Sequence, residues 1–206
     1  MKLQDIRAVL FDMDGTLVDS DAVVDRSWTQ WAAEYGLQAA EVLAIAHGNP
    51  AERTIATLLP ELSPAERAVA WERVLDIETN DIDGVVAKPG ARELVATLDR
   101  IGMPWAIYTS APSQLAKARL AAAGIAPRIL VTIDDVSRGK PDPEGYLRAA
   151  ELLGVRADQC LVVEDTVVGL SAGQAAGAMT AGLKGISADI ELPDLHRLDK
   201  LFKGSE

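Results

Sequence analysis

Two aspartates, Asp12 and Asp14, stand two residues apart in FDMDGT, directly after the apolar run 6–11. Three more polar groups end apolar runs or open loops further on: Thr109-Ser110 in IYTSAP, Lys140 in RGKPDP and Glu164-Asp165 in LVVEDT. Taken singly, each has an ordinary explanation. An Asp at a strand end forms turns. A Thr-Ser pair or an acidic pair ahead of a helix caps it, and a loop lysine is solvated surface. Taken together, in this order and on one edge of one sheet, they form a phosphoryl-transfer site. A carboxylate nucleophile splits the hydrolysis of a phosphate ester into formation and breakdown of an acyl phosphate. A second carboxylate two residues on, after a turn, can reach the same phosphoryl group. An acid and a nucleophile need opposite protonation states, so their surroundings should separate their pKa values. A helix N-terminus and a lysine supply the positive charge that a phosphate needs.

Positioning these groups falls to an alternating pattern of strands and helices. Runs 6–11, 105–108, 128–133, 160–163 and 179–182 read as buried strands. Stretches 89–101, 112–123, 143–153 and 167–176 read as helices, closed by Gly102, Gly124, Gly154 and Gly177. Such alternation with short connections predicts an α/β fold: a doubly wound parallel sheet covered by helices on both faces. Residues 18–88 break the pattern, with helical spacing and no convincing strand. Val24, Trp28, Trp31 and Tyr35 lie at steps of four, three and four, one helix face. Further helices are expected over 41–46, 51–59 and 64–77, the last opened by Ser63, Pro64 and Glu66. This insert leaves and returns beside the carboxyl end of the first strand, where open parallel sheets bind ligands. It therefore reads as a helical cap over 18–88, with 1–17 and 89–206 forming the core. Beyond 186 the pattern is weak, and Leu195, Leu198 and Leu201 suggest a short closing helix. Of the two histidines, His196 falls in this tail and is expected at the surface.

Composition narrows the function classes. The 206 residues are 49% hydrophobic, 25% charged and 4% aromatic, with a net charge of −11 and a pI near 4.7. A polyanionic duplex or an anionic membrane repels such a chain, so neither nucleic acid nor membrane is an expected partner. A small phosphate ester needs only local positive charge. The single cysteine, Cys160, sits in CLVVE and reads as a small core residue. No apolar run has signal-peptide or membrane-spanning form, which points to the cytoplasm. A monomer is the expected state.

The chain resembles the haloacid dehalogenase superfamily, in its large phosphatase and phosphomutase branch, along nearly its whole length. FDMDGTLVDSD is similar to the first family motif, YTSA to the second, RGKPDPEGY to the third and VVEDTVVG to the fourth. AIAHGNPAERTI and MPWAIYTSAPSQLAKAR carry a closer likeness to bacterial hexitol phosphatases and related glycerol and deoxysugar phosphatases. The resemblance implies a Rossmann-like core with an inserted helical cap and hydrolysis of a small phosphorylated metabolite. It implies that Asp12 attacks phosphorus, while Asp14 protonates the leaving oxygen and later activates water. Lys140 would neutralise charge on Asp12 and the phosphate, whose oxygens Thr109 and the Ser110 N–H would bind. Mg²⁺, which takes oxygen ligands and keeps some waters, would be held by Asp12, the Asp14 carbonyl and Asp165. Glu164 would join directly or through water. Gly15 allows the turn after the strand, and Thr16 is expected to fix Asp14 by a hydrogen bond.

Specificity is expected from the insert. His47, Gly48, Asn49 and Arg53 fall between two expected helices, in a loop that faces the carboxylates in similar enzymes. His47 either touches substrate or packs inside the insert. A phosphosugar mutase uses the same four motifs, but similar mutases often carry a bulky apolar residue where this chain has Thr16. A phospho-acceptor signalling domain shares the Asp, Lys and Mg²⁺ yet lacks the insert, and a dehalogenase lacks the acid Asp14.

Overall fold

The computed structural model describes residues 5–46 and 49–204. In chain order the strands are β1 (Ala8–Phe11), β2 (Val18–Asp19), β3 (Val86–Ala87), β4 (Trp105–Tyr108), β5 (Leu130–Val131), β6 (Cys160–Glu164), β7 (Met179–Gly182) and β8 (Ile190–Glu191). The helices are α1 (Asp21–Glu34), α2 (Ala39–Ala46), α3 (Ala51–Leu58), α4 (Pro64–Asn80), α5 (Ala91–Arg100), α6 (Ser113–Ala123), α7 (Glu144–Leu152), α8 (Val167–Ala175) and α9 (Leu195–Lys203). Two compact units result: one runs to Asp19 and resumes at Val86, and the other is Ser20–Val85.

In the first unit, six parallel strands lie in the order β5-β4-β1-β6-β7-β8. The run is α/β and doubly wound: the chain proceeds outward from β1 on one side, then crosses back to build the other. Continuous apolar runs suit strands buried on both faces. Ala8, Leu10, Ala106, Tyr108, Cys160 and Val162 face one way and pack with Tyr146 and Ala149 of α7 and Ala172 of α8. The alternate residues Val9, Phe11, Ile107, Leu161 and Val163 are also fully buried, on the opposite face by the two-residue period of a strand. Helices α5 and α9 pack against each other, and a Cβ on Gly90 would stand 2.5 Å from the His196 backbone nitrogen. His196 is therefore half-buried rather than a surface residue. Cys160 is buried, and burial followed by the nearby Asp158 charge pushes its thiol up to about 11.

Several expectations change. The run 128–133 yields only the two residues of β5, because Asp135 accepts hydrogen bonds from Thr132 N and Oγ1, both at 2.9 Å, and winds the chain into a 3₁₀ turn. The stretch 18–88 does contain strand at both ends. β2 and β3 pair antiparallel, so the chain leaves and re-enters this unit through a two-stranded ribbon. Asp19 and Lys88 close it with a 3.0 Å ion pair. Two-residue strands have too few alternations to register in a hydrophobic period, which also hid β8.

The second unit is all helical. Trp28, Trp31, Ala32, Val42, Ile55, Ala70, Val74 and Ile77 form its core. Trp31 is fully buried, stacks on Tyr35 at 4.5 Å, meets Trp28 edge-on at 5.3 Å, and donates Nε1–H to the Ala70 carbonyl at 2.9 Å. The aromatic face thus serves packing inside this unit. Ser63 and Glu66 complete the capping box that opens α4. Arg26 clamps Asp81 with two 2.9 Å bonds. Among the described residues, no helix is long and apolar enough to cross a membrane.

Candidate active site

Parallel strands bring their carboxyl ends to one edge. β1 there releases Asp12, β4 Thr109 and β6 Glu164-Asp165, and the loop after β5 brings Lys140. Asp12 N donates to the Val163 carbonyl at 3.0 Å, which fixes the nucleophile candidate against β6. Gly15, at φ 84°, turns the chain away, and a Cβ there would stand 2.1 Å from Asp165 Oδ2. Only glycine lets this turn approach the second acidic strand end so closely.

Lys140 supplies the central charge. Its Nζ lies 2.5 Å from Asp12 Oδ1 and 2.7 Å from Glu164 Oε1, and 5.0 and 5.4 Å from the ring centroids of Tyr108 and Tyr146. Burial opposes its charge, yet Asp12 and Glu164 hold the ammonium above its ordinary value. Burial, with Glu164 next, pushes the Asp12 carboxyl well up; Lys140 counters this. Asp12 Oδ2 is buried with no hydrogen-bond partner.

Glu164 is fully buried, and both its oxygens are engaged. Oε1 accepts from Lys140 and from Tyr146 Oη at 2.9 Å. Oε2 accepts from Asp165 N, Thr166 N and Thr166 Oγ1 at 3.2, 3.3 and 3.0 Å. Burial and the Glu164 charge raise the Tyr146 phenol well above its usual value, so it remains a donor. Thr166, not the acidic pair, caps α8 by accepting from Gly169 N. Gly169 leaves room for the whole arrangement, since a Cβ there would stand 1.7 Å from Glu164 Oε1. Alanine is the better helix former by about 1 kcal/mol, yet Gly169→Ala is expected to destabilise the protein by about 1–3 kcal/mol through overpacking. Denaturant unfolding of the variant checks the sign.

Asp12, Glu164 and Asp165 offer ligand oxygens within 4.8 Å of one another. All-carboxylate donors suit a hard divalent cation, and the buried, unpartnered Asp12 Oδ2 is an oxygen such a cation would satisfy. Thr16 departs from expectation. Its hydroxyl donates to Asp165 Oδ1 at 3.4 Å, not to Asp14. Asp14 instead accepts from Arg119 Nη1 at 3.0 Å. Lys184, at φ 54°, pairs with Asp165 Oδ2 at 2.7 Å.

Thr109 is buried, and its Oγ1 accepts from Ala111 N at 3.0 Å. Ser110 is exposed and lies ahead of α6, whose N-cap is Pro112, so the Thr-Ser pair is not the helix cap. Asp142 holds the turn into α7, accepting from Glu144 N at 3.0 Å. In the other unit, Asn49 Nδ2 donates to the Ile45 carbonyl at 2.8 Å and Arg53 is exposed on α3. His47 and Gly48 lie outside the described residues. Sequence reasoning passed over Arg119, Tyr146 and Lys184. Arg119 carried a signal: it falls four residues after Leu115 and three after Ala116, on the apolar face of α6. Lys184 carried none, since a left-handed lysine has no local signature.

A family model for haloacid dehalogenase-like hydrolases matches residues 6–177. The chain belongs to this family. As a haloacid dehalogenase-like hydrolase it is 40% identical over 201 residues to hexitol phosphatase A of Escherichia coli K12, covering 97% of this chain and 92% of that one. It is 34% identical to 2-deoxyglucose-6-phosphate phosphatase 1 of Saccharomyces cerevisiae, over 84% of this chain and 78% of the yeast protein. The crystal structure of a family hydrolase from Deinococcus radiodurans R1, with bound phosphate and sodium, superposes with a TM-score of 0.66 at 32% identity. That match covers 94% of this chain and 88% of the other.

Proposed function

We propose that this phosphoric monoester hydrolase releases phosphate from small sugar or polyol phosphates through an aspartyl-phosphate on Asp12, with Mg²⁺ as cofactor. The observation that carries the reading is Asp12 itself. It is a buried carboxylate with one oxygen on Lys140 and the other without a partner, in a chain 40% identical to a hexitol phosphatase.

Asp12 attacks phosphorus, and the ester P–O bond breaks. The departing sugar oxygen takes a proton from Asp14. Water then attacks the aspartyl-phosphate while Asp14 accepts its proton, and the P–O bond to Asp12 breaks to give inorganic phosphate. Lys140 offsets the charge that Asp12 and the phosphoryl oxygens bring together. Thr109 and the Ser110 N–H bind phosphoryl oxygens. Asp12, Asp165 and the Asp14 carbonyl would hold the metal. Bound there, a divalent cation supplies positive charge beside the phosphoryl group and orients its oxygens. Glu164 is occupied by five donors, which favours a role in holding Lys140 and the turn at Asp165 over direct ligation.

The helical insert is the proposed source of substrate choice, through His47, Gly48, Asn49 and Arg53. Its support is the likeness of AIAHGNPAERTI to the hexitol phosphatases and the exposure of Arg53. A phosphate-release screen with Mg²⁺ over sugar, polyol and glycerol phosphates tests the reading, with p-nitrophenyl phosphate as reference. Release without any bisphosphate activator is expected, which a mutase would not show. Arg53→Ala is expected to raise KM for the best sugar phosphate about 10-fold, the worth of one charged hydrogen bond, with little change for the reference. Equal effects on both substrates would remove the insert from substrate recognition.

A further inference from the structure

Arg119 is 4% exposed and lies on the face of α6 that also buries Leu115, Ala116, Leu120 and Ala123. An apolar residue is the ordinary occupant of such a position. A guanidinium taken out of water is costly unless an anion meets it, so its retention here calls for a partner. That partner is Asp14, whose Oδ1 accepts from Arg119 Nη1 at 3.0 Å. Thr16 is turned to Asp165 and does not supply this contact.

We propose that Arg119 is the positioning residue for Asp14, aiming its carboxyl at the leaving-group oxygen; this rests on the acid–base role assigned to Asp14 above. The geometry supports a directional role. Arginine is planar and presents its donors in a fixed fork, so it fixes an orientation as well as a charge. Helix α6 packs on the β2–β3 ribbon, and β2 follows the Asp14 turn directly, with Gly15 N bonded to the Val18 carbonyl at 2.8 Å. The guanidinium thus comes from an element docked beside that turn. Held by Arg119, the Asp14 carboxyl passes its proton to the sugar oxygen. When the ester P–O bond breaks, that oxygen takes the proton and leaves as the alcohol. Water returns a proton to the same carboxyl in the second step.

An aimed proton matters only when the leaving group needs one. A sugar or polyol alkoxide is a poor leaving group, whereas p-nitrophenolate departs unprotonated. The test compares kcat/KM for the best sugar or polyol phosphate with that for p-nitrophenyl phosphate, in wild type, Arg119→Met, Asp14→Asn and the double variant. General acid catalysis is typically worth about 10²–10⁴-fold. Arg119→Met is expected to lose at least about 30-fold on the sugar phosphate and less than about 3-fold on the aryl phosphate. Asp14→Asn should show the same selectivity, and the double variant should lose little more than Asp14→Asn alone. The ratio of the two substrates does not depend on how much of a variant is folded. Equal losses on both substrates would reduce Arg119 to a packing role and overturn the inference. If Asp14→Asn itself spares the sugar phosphate, the acid role of Asp14 falls, and this inference falls with it.

Discussion

Asp12→Asn is expected to abolish phosphate release, by at least about 10⁴-fold in kcat, because an amide oxygen cannot form the acyl phosphate. The fold should survive the change. The Asp12 side chain is nearly isosteric with asparagine, and its backbone N–H bond to Val163 is untouched. Two opposing electrostatic effects accompany the substitution. Lys140 loses one carboxylate but keeps Glu164 at 2.7 Å. Glu164 and Asp165 in turn lose a buried like-charged neighbour, the crowding that helps raise the Asp12 carboxyl. The melting temperature should therefore move by only a few degrees, the equivalent of about 1 kcal/mol. Phosphate release, thermal unfolding and formation of a beryllium fluoride adduct check the three parts. Full activity in Asp12→Asn would refute the covalent route, and loss of the adduct without loss of fold would support it.

Lys140→Met carries the second large effect, and it differs by striking stability as well as rate. The side chain is 7% exposed and lies between Asp12 and Glu164, whose side chains are 11% and 0% exposed. Removing one partner of a buried ion pair typically costs about 3–5 kcal/mol, because the remaining charge is left uncompensated. Activity should fall about 10²–10³-fold, the usual worth of a preorganised charge at the reacting group. The sign of the pH dependence follows from Asp12. Its folded carboxyl sits above its unfolded value, so the folded state prefers the protonated form. That contribution is present at low pH and lost as pH rises through the folded value. Without Lys140 the carboxyl moves further up, so the stability deficit of Lys140→Met should widen as pH rises above the unfolded carboxylate range in metal-free buffer. Added Mg²⁺ should narrow it, because a ligand of the folded carboxylates stabilises by mass action. A deficit independent of both pH and Mg²⁺ would show that Lys140 serves packing alone.

Both expectations rest on residues whose types and order are visible in the chain, and on contacts that are not. The alternation of apolar runs and amphipathic stretches was enough to place Asp12, Thr109 and Glu164-Asp165 at strand ends, because a parallel sheet puts every carboxyl end on one edge. Lys140 was visible as a motif residue. The helical character of 18–88 was legible from the 3.6-residue spacing of Trp28 and Trp31. Local pattern failed where elements are short or where a partner is distant. The strands β2, β3 and β8 have two residues each, too few to show a period, and the strand read over 128–133 keeps only the two residues of β5.

Asp12 as a carboxylate after a buried strand, and the family of hydrolases that the four motifs mark, were determined by the sequence alone. Which groups hold which carboxylate was decided only by the tertiary structure. Thr16 lies two residues from Asp14 and was expected to bind it, yet reaches Asp165, 149 residues on. Arg119, 105 residues from Asp14, takes that place, and Lys184 joins Asp165 from beyond β7. Proximity along the chain does not fix the direction of a side chain. Burial does, because each charge taken out of water must find its counterpart wherever the fold brings one within reach.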